Sequence, residues 1–122
     1  MKIIIPEIGP SSNSFYAGMH PAKRSKLANR WHAQVVACVK KQRVGKWQGE
    51  YPVRIEVECR FGKSKRVYDA DNLQATAKMS IDGMVHAGVL PDDSPRYVRT
   101  VSLSSVKTSD PASITIVTLM EA

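Results

Sequence analysis

The sequence is poor in cysteine and histidine and contains no long hydrophobic segment. Cys38 and Cys59 have no Cys or His neighbour at zinc-finger spacing, and the three histidines are scattered along the chain. Buried free thiols are therefore a simpler interpretation than a metal site. No apolar run approaches the roughly 20 residues that span a bilayer. The stretch 1–5 is too short, and too soon followed by Pro6, for a signal-peptide core. A soluble, cytoplasmic protein without membrane contact is expected.

Acidic residues are scarce relative to basic ones. The 122 residues include 18 Lys and Arg against 11 Asp and Glu, which gives a net charge of +7. Such a balance suits a polyanionic partner, most simply nucleic acid, although many basic surfaces are only solvated. The length and the 43% hydrophobic content suit one folded domain over residues 1–122.

Hydrophobic periodicity predicts a single compact α/β (α+β) domain, with a mixed sheet and two main helices in the order β-α-β-α-β-β. A short strand over 2–5 and a loop over 9–13 precede a helix from about Pro21, on which Trp31 is expected in the core. Strict alternation from Val53 to Phe61 predicts a strand with one apolar and one charged face.

The second half of the chain predicts one helix followed by two strands. The helix is expected to begin at Asp71 or Asn72, both good N-cap residues. It should end near Ala87, with Gly88 as a left-handed cap. The strands, roughly 97–105 and 113–120, are expected to pair with each other in antiparallel fashion.

Five of the six aspartates lie between Asp69 and Asp93. In extended backbone Asp69 and Asp71 point to the same side. On the following helix Asp71, Lys78 and Asp82 recur at near-whole turns and can form one polar stripe. Two carboxylates about 4 Å apart repel by about 4 kcal/mol at an effective dielectric near 20, so either the two point apart into solvent or a cation lies between them. Lys78 or a hard divalent metal such as Mg²⁺ or Mn²⁺ would serve.

A purely structural interpretation of these acids stays open. Asp71 would cap the helix, Asp69 would favour the turn, and Asp92 and Asp93 would decorate a loop. The functional interpretation depends on the conjunction of D-x-D-N, an aligned lysine, an aligned aspartate and a later Asp-Asp pair.

The segment Asp69–Val98, DADNLQATAKMSIDGMVHAGVLPDDSPRYV, resembles the RusA family of Holliday-junction resolvases, above all its phage-encoded members. It has D-x-D-N, a lysine, an aspartate before a small or apolar pair, A-G and D-D in the family's order. Pro10–Tyr16 (PSSNSFY) is similar to the family's P-x-S-N segment ending in an aromatic, and Arg54–Cys59 lies where the family has a strand. One departure is that Lys78 follows the second aspartate by seven residues, where some members have four.

The resemblance implies a dimeric, Mg²⁺-dependent endonuclease that cuts four-way branched DNA, with Mn²⁺ as an alternative metal. By motif position, Asp69, Asp71 and Asp93 would bind the metal and Lys78 would be the catalytic lysine. Asn72, Asp82 and Asp92 match or adjoin motif positions of supporting role.

Five basic residues are predicted to contact the DNA backbone: Lys63, Lys65, Arg66, Lys23 and Arg24. The first three lie just upstream of the acidic cluster, where solvated loop charge is the alternative. The other two begin a helix, where cations do not complement the helix dipole and an external anion is favoured. The roles of Phe15 and Tyr16 stay open, and two other functions remain possible: a non-catalytic DNA-binding module, or a metal-dependent phosphodiesterase with another substrate.

Overall fold

The computed structural model describes residues 1–122 and contains a four-stranded mixed sheet and two main helices, which confirms the α+β class. The prediction of a loop over 9–13 is wrong at its C-terminal end, because a short helix begins at Ser12. Ser11 caps it by accepting a hydrogen bond from the Ser14 N–H at 3.2 Å. The elements are β1 (Lys2–Ile5), α1 (Ser12–Ala17), α2 (Pro21–Lys41), β2 (Val53–Phe61), a 3₁₀ turn (Ala70–Leu73), α3 (Gln74–His86), β3 (Val98–Lys107) and β4 (Ile114–Glu121).

The strands are ordered β1-β4-β2-β3 in the sheet, so the expected antiparallel pairing of β3 with β4 is wrong. Strand β2 lies between them, parallel to β3 and antiparallel to β4. Two parallel neighbours need a crossover, and α3 with its flanking segments supplies it. The connection over 108–113 then passes across the end of β2: the Thr108 N–H donates to the Phe61 carbonyl at 2.9 Å, and the Gly62 N–H donates to Ser113 Oγ at 2.8 Å.

Strand β2 is amphipathic, as its alternation predicted. The residues of its buried face are Val53, Ile55, Val57, Cys59 and Phe61. Its other face carries Arg54, Glu56, Glu58 and Arg60, most of them exposed. Both cysteines are free and buried, and burial raises the pKa of the Cys59 thiol to about 11.

Helices α2 and α3 form the layer that covers the buried face. Trp31 is fully buried and its indole N–H donates to Ser80 Oγ at 3.0 Å, which confirms its place in the core. The helices approach closely at Gly83, where an added Cβ would lie 2.7 Å from Val35 Cβ. None of the helices combines the length and the hydrophobicity that a membrane span requires.

The ends of α3 differ in how well they were predicted. Gly88 adopts a φ of +79° just after the helix, as expected of a left-handed cap. The start is different: Asp71 and Asn72 lie in the 3₁₀ turn, and Leu73 occupies the N-cap position without a side-chain bond. The expected capping role of Asp71 or Asn72 is therefore wrong, because the chain makes a tighter turn first.

Replacing Gly83 with alanine should destabilise the protein by up to about 2 kcal/mol, because overpacking usually costs about 1–3 kcal/mol and the gain in helix propensity offsets part of it. The new methyl group would meet Val35 at its branched Cβ, and this cost should exceed the roughly 1 kcal/mol that alanine gains in helix propensity. Chemical denaturation measures the change. The matched control is Gly45→Ala, where nothing lies within 4 Å of the new Cβ; equal stability of the two variants would contradict the close approach of the helices.

Candidate functional site

A polar cleft of about 490 Å³ joins the two segments on which the family resemblance depends. One group of lining residues comes from 10–14 and the other from 66–72, although more than 50 residues separate the two groups in the sequence. The lining residues are Pro10, Ser11, Asn13, Ser14, Arg66, Val67, Tyr68, Asp69 and Asn72.

Ser12 ties these two segments together. Its hydroxyl donates to the Asn72 carbonyl at 3.0 Å and accepts from the Ala75 N–H at 2.9 Å. The first N–H groups of a helix have no partner within the helix. Ser12 therefore caps α3 from a distance of some 60 residues, which is the task expected of Asp71 or Asn72.

The residues of the D-x-D-N motif lie at the entrance to α3. Asp69 is extended, with φ −64° and ψ 150°, and its carbonyl accepts from the Asn72 N–H at 2.9 Å. Asp69 and Asp71 are exposed and neither forms an ion pair within the protein, whereas Asn72 is half-buried. Asp69 and Asn72 line the cleft, and Asp71 lies between them in sequence within the same turn.

Lys78 bonds to the later carboxylates of the cluster and not to the first pair. Its Nζ lies 3.0 Å from Asp82 Oδ1, one helical turn away, and 2.5 Å from Asp93 Oδ2 beyond the helix. The predicted stripe is thus correct for Lys78 and Asp82. Asp71 lies in the 3₁₀ turn before the regular helix and forms no ion pair with Lys78. Asp92, beside Asp93, is exposed.

The ion pairs fix the charge of Lys78. The hydrogen bond with Asp93 raises the pKa of the Lys78 ammonium, with a smaller contribution from Asp82. The same bond lowers the pKa of the Asp93 carboxyl. Both groups stay charged at neutral pH, so Lys78 acts as a fixed cation and not as a proton acceptor.

The donor chemistry fits Mg²⁺, but the predicted trio does not form one cluster. No group of three or more His, Cys, Asp or Glu side chains is arranged to hold a metal. Mg²⁺ is commonly held by one or two carboxylates, with waters and substrate phosphates completing the shell. Asp69 and Asp71 meet that requirement in residue type and exposure, whereas Asp93 is paired with Lys78.

The basic residues upstream of the motif lie in a short turn after β2. Lys63 and Arg66 are exposed, and Arg66 lines the cleft beside Asp69. Lys65 Nζ lies 5.6 Å from the centre of the Tyr68 ring, within cation–π range. The turn thus carries positive charge to the edge of the polar cleft.

Two basic residues of α2 have internal partners that the sequence did not reveal. Arg24 Nη1 donates to the Tyr16 carbonyl at 3.3 Å. Further along α2, Arg30 forms a bidentate pair with Glu7 at 2.8 and 3.1 Å. Lys23 is exposed and Tyr16 is 52% exposed. Phe15, in contrast, is buried.

A histidine pair lies beside the ion-pair network. The rings of His32, on α2, and His86, on α3, stack with centroids 4.8 Å apart. Nε2 of His32 is buried without a hydrogen-bond partner. Burial, and then the charge of His86, lower the pKa of His32, while Asp82 opposes and Lys78 adds to the shift.

Comparison with known families and proteins gives no match: no family model fits the chain, and no curated protein is similar to it. The resemblance to the RusA family therefore depends on the sequence motifs alone. The sequence did not identify two residues that hold the cleft and the turn after β2: Ser12, and Lys107, whose ammonium bonds to three carbonyl oxygens of that turn. Ser12 lies in a polar run where nothing distinguishes it from Ser11, and Lys107 is an ordinary cation at the end of a strand pattern.

Ser12→Ala should destabilise the protein by about 1–3 kcal/mol, because the Ala75 N–H loses its acceptor and the Asn72 carbonyl its donor. Thermal unfolding measures the loss. Asn13→Ala, a neighbouring cleft residue with no side-chain hydrogen bond, is the control. Loss of stability in Asn13→Ala but not in Ser12→Ala would contradict the capping role.

Stability should also fall below pH 6.5 because of His32. Because the pKa of His32 is lowered in the folded protein, the unfolded chain takes up its proton at a higher pH than the folded protein does. The stability that neutral His32 contributes is therefore complete above pH 6.5 and is lost as the pH falls through the folded-state pKa. His32→Phe keeps a stacking ring without the titration, and should narrow the stability difference between pH 7 and pH 5. His20→Asn, which keeps an N-cap acceptor for the Ala22 N–H, should leave that difference unchanged. An unaltered profile in His32→Phe would contradict the assignment.

Proposed function

We propose that this chain is a Mg²⁺-dependent, structure-selective endodeoxyribonuclease of the RusA type. It would hydrolyse phosphodiester bonds in four-way junctions during DNA recombination and repair. It would act as a homodimer in the cytoplasm of a bacterium, encoded by a phage or prophage. Mn²⁺ would be an alternative metal.

One observation carries the proposal. Two motif segments that are far apart in sequence line the same polar cleft and are hydrogen-bonded through Ser12. If the two segments matched the family's motifs only by chance, there would be no reason for them to lie side by side in the fold. The cleft joins an exposed acidic turn to a basic turn, which suits a phosphodiester substrate bound through its backbone.

The acidic turn would supply the metal ligands. Asp69 and Asp71 would hold Mg²⁺, joined by Asp93 if it leaves Lys78, and Asn72 would orient the turn. When bound, the ion polarises the scissile phosphate and lowers the pKa of an attacking water. Asp82 and Asp92 support this set from either side: Asp82 retains Lys78 through its ion pair, and Asp92 adjoins Asp93.

Lys78 would stabilise negative charge that develops on the phosphate. Its raised pKa keeps the ammonium protonated, so it can donate hydrogen bonds to a phosphate oxygen or to the attacking water. Its ion pairs with Asp82 and Asp93 hold it in one place before substrate binds. Electrostatic stabilisation of this kind requires such preorganisation.

Five exposed or half-buried cations would bind the flanking DNA strands. Lys63, Lys65 and Arg66 continue directly into the acidic turn, and Lys23 and Arg24 offer a second group at the start of α2. Contacts of this kind position DNA without reading bases. The affinity for DNA should then fall steeply as the salt concentration rises. In a plot of log K against log [salt], each phosphate contact should contribute about −0.9 to the slope.

A non-catalytic DNA-binding module is the second candidate, and a specific observation favours it. Asp93 is committed to Lys78, and three carboxylates do not form a ready metal cluster. On this alternative the acids serve to hold the turn and the loop after α3, and only the basic residues act.

Incubation with synthetic four-way junctions and Mg²⁺ distinguishes the two candidate functions, because only the nuclease would cleave the DNA. We expect wild type to cut the junction in preference to linear duplex. Asp71→Asn should bind with similar affinity but cut on the order of a hundredfold more slowly, because it loses a metal ligand. The matched control is Asp110→Asn, which changes the one aspartate outside the cluster.

Each other result has a definite meaning. Binding by wild type without cleavage would favour the non-catalytic module. Equal cutting of linear duplex would contradict junction selectivity, and full activity in Asp71→Asn would contradict the proposed metal ligand. Cleavage of nucleotide diesters without DNA cleavage would favour a phosphodiesterase with another substrate.

A further inference from the structure

Lys107, the last residue of β3, places its ammonium inside the basic turn. Its Nζ lies 2.8, 3.0 and 2.8 Å from the carbonyl oxygens of Gly62, Lys63 and Lys65. An ammonium has three donors, and all three here bond to one turn. Lys107 reaches it because β2 and β3 are parallel neighbours in which Phe61 is paired with Lys107.

The turn is held from the other side by the β3–β4 connection. The Lys63 N–H donates to the Asp110 carbonyl at 2.7 Å, and the Gly62 N–H donates to Ser113 Oγ at 2.8 Å. A Cβ at Gly62 would lie 2.7 Å from the Pro111 carbonyl oxygen. The backbone at 62–65 therefore has little freedom.

The position of Lys107 is electrostatically unexpected. It adds a fourth cation to a turn that already carries Lys63, Lys65 and Arg66, and like charges at short range repel. Three carbonyl dipoles offset that cost, since each presents negative charge to the ammonium. A neutral side chain could not offer three donors from one atom.

We propose that Lys107 is a positioning residue that holds the 62–66 turn ready to bind a DNA backbone. It need not touch DNA itself. It orders the turn in the free protein, so that association does not have to order the turn and its long side chains. This inference rests on the proposed DNA-binding function and extends it to a residue outside every motif described above.

Lys107→Met tests the role, since it keeps the apolar stem and removes the ammonium. The amides of Lys63 and Lys65 should exchange hydrogen at least about tenfold faster, because local opening becomes easier. The dissociation constant for a synthetic four-way junction at fixed salt should rise roughly threefold to tenfold, as expected when one or two long side chains must be ordered on binding. Lys46→Met makes the same change in net charge at an exposed lysine without side-chain bonds, and should change neither quantity.

A double-mutant cycle distinguishes positioning from direct contact. In a Lys63→Gln, Lys65→Gln background, Lys107→Met should weaken binding no further, because the side chains it positions are gone. If Lys107→Met weakened junction binding in that background as much as it does in the wild type, the proposal would be overturned in favour of a direct phosphate contact. Lys107→Arg keeps the charge, but its planar fork does not match three converging carbonyls. It should therefore fail to restore affinity; full restoration with fast amide exchange would also overturn the proposal.

The inference and the proposed function fail in different ways. Unchanged amide exchange in Lys107→Met would overturn the anchoring role whether or not the protein binds DNA. Faster exchange with unchanged junction affinity would overturn the role in DNA binding alone. Absence of junction binding by wild type would overturn the proposed function, and with it the DNA role of Lys107.

Discussion

The candidate site depends on one side chain that carries no charge. Through its two hydrogen bonds, to the Asn72 carbonyl and from the Ala75 N–H, Ser12 joins the first residue of α1 to the start of α3. A helix start that lacks a local cap must find an acceptor elsewhere. Here the acceptor is Ser12, and the bond fixes the acidic turn against the start of α1. The cleft is thus a consequence of helix capping, and the same bonds set where Asp69 and Asn72 lie.

Charge divides the acidic cluster into two parts. Asp82 and Asp93 are neutralised in part by Lys78, whereas Asp69 and Asp71 have no ion-pair partner within the protein. A cation from solution therefore gains more at the first pair, where no internal charge competes. Lys78 keeps its own position and protonation through the second pair. In the proposed function, this division would leave metal binding to Asp69 and Asp71 and a fixed positive charge to the other end of the cluster.

Local features were predictable from sequence and distant partners were not. The alternation of β2, the helix from Pro21 and the positive φ of Gly88 depend on neighbouring residues, and the structure confirms them. The pairing of β3 with β4 was wrong because adjacency in a chain does not decide which strands adjoin in a sheet. Capping by Asp71 or Asn72 failed for the same reason, since a serine some 60 residues away competes for the same donor.

The strand order that the sequence did not predict is also what links the two halves of the site. Because β2 and β3 run parallel, their C-terminal ends meet at one edge of the sheet, with Phe61 paired to Lys107. The basic turn leaves β2 at that edge and leads within a few residues to Asp69. A β3–β4 hairpin that excluded β2 would have kept Lys107 away from the turn. The parallel pair therefore brings Lys107, the basic turn and the polar cleft close together, although no sequence motif predicts this proximity.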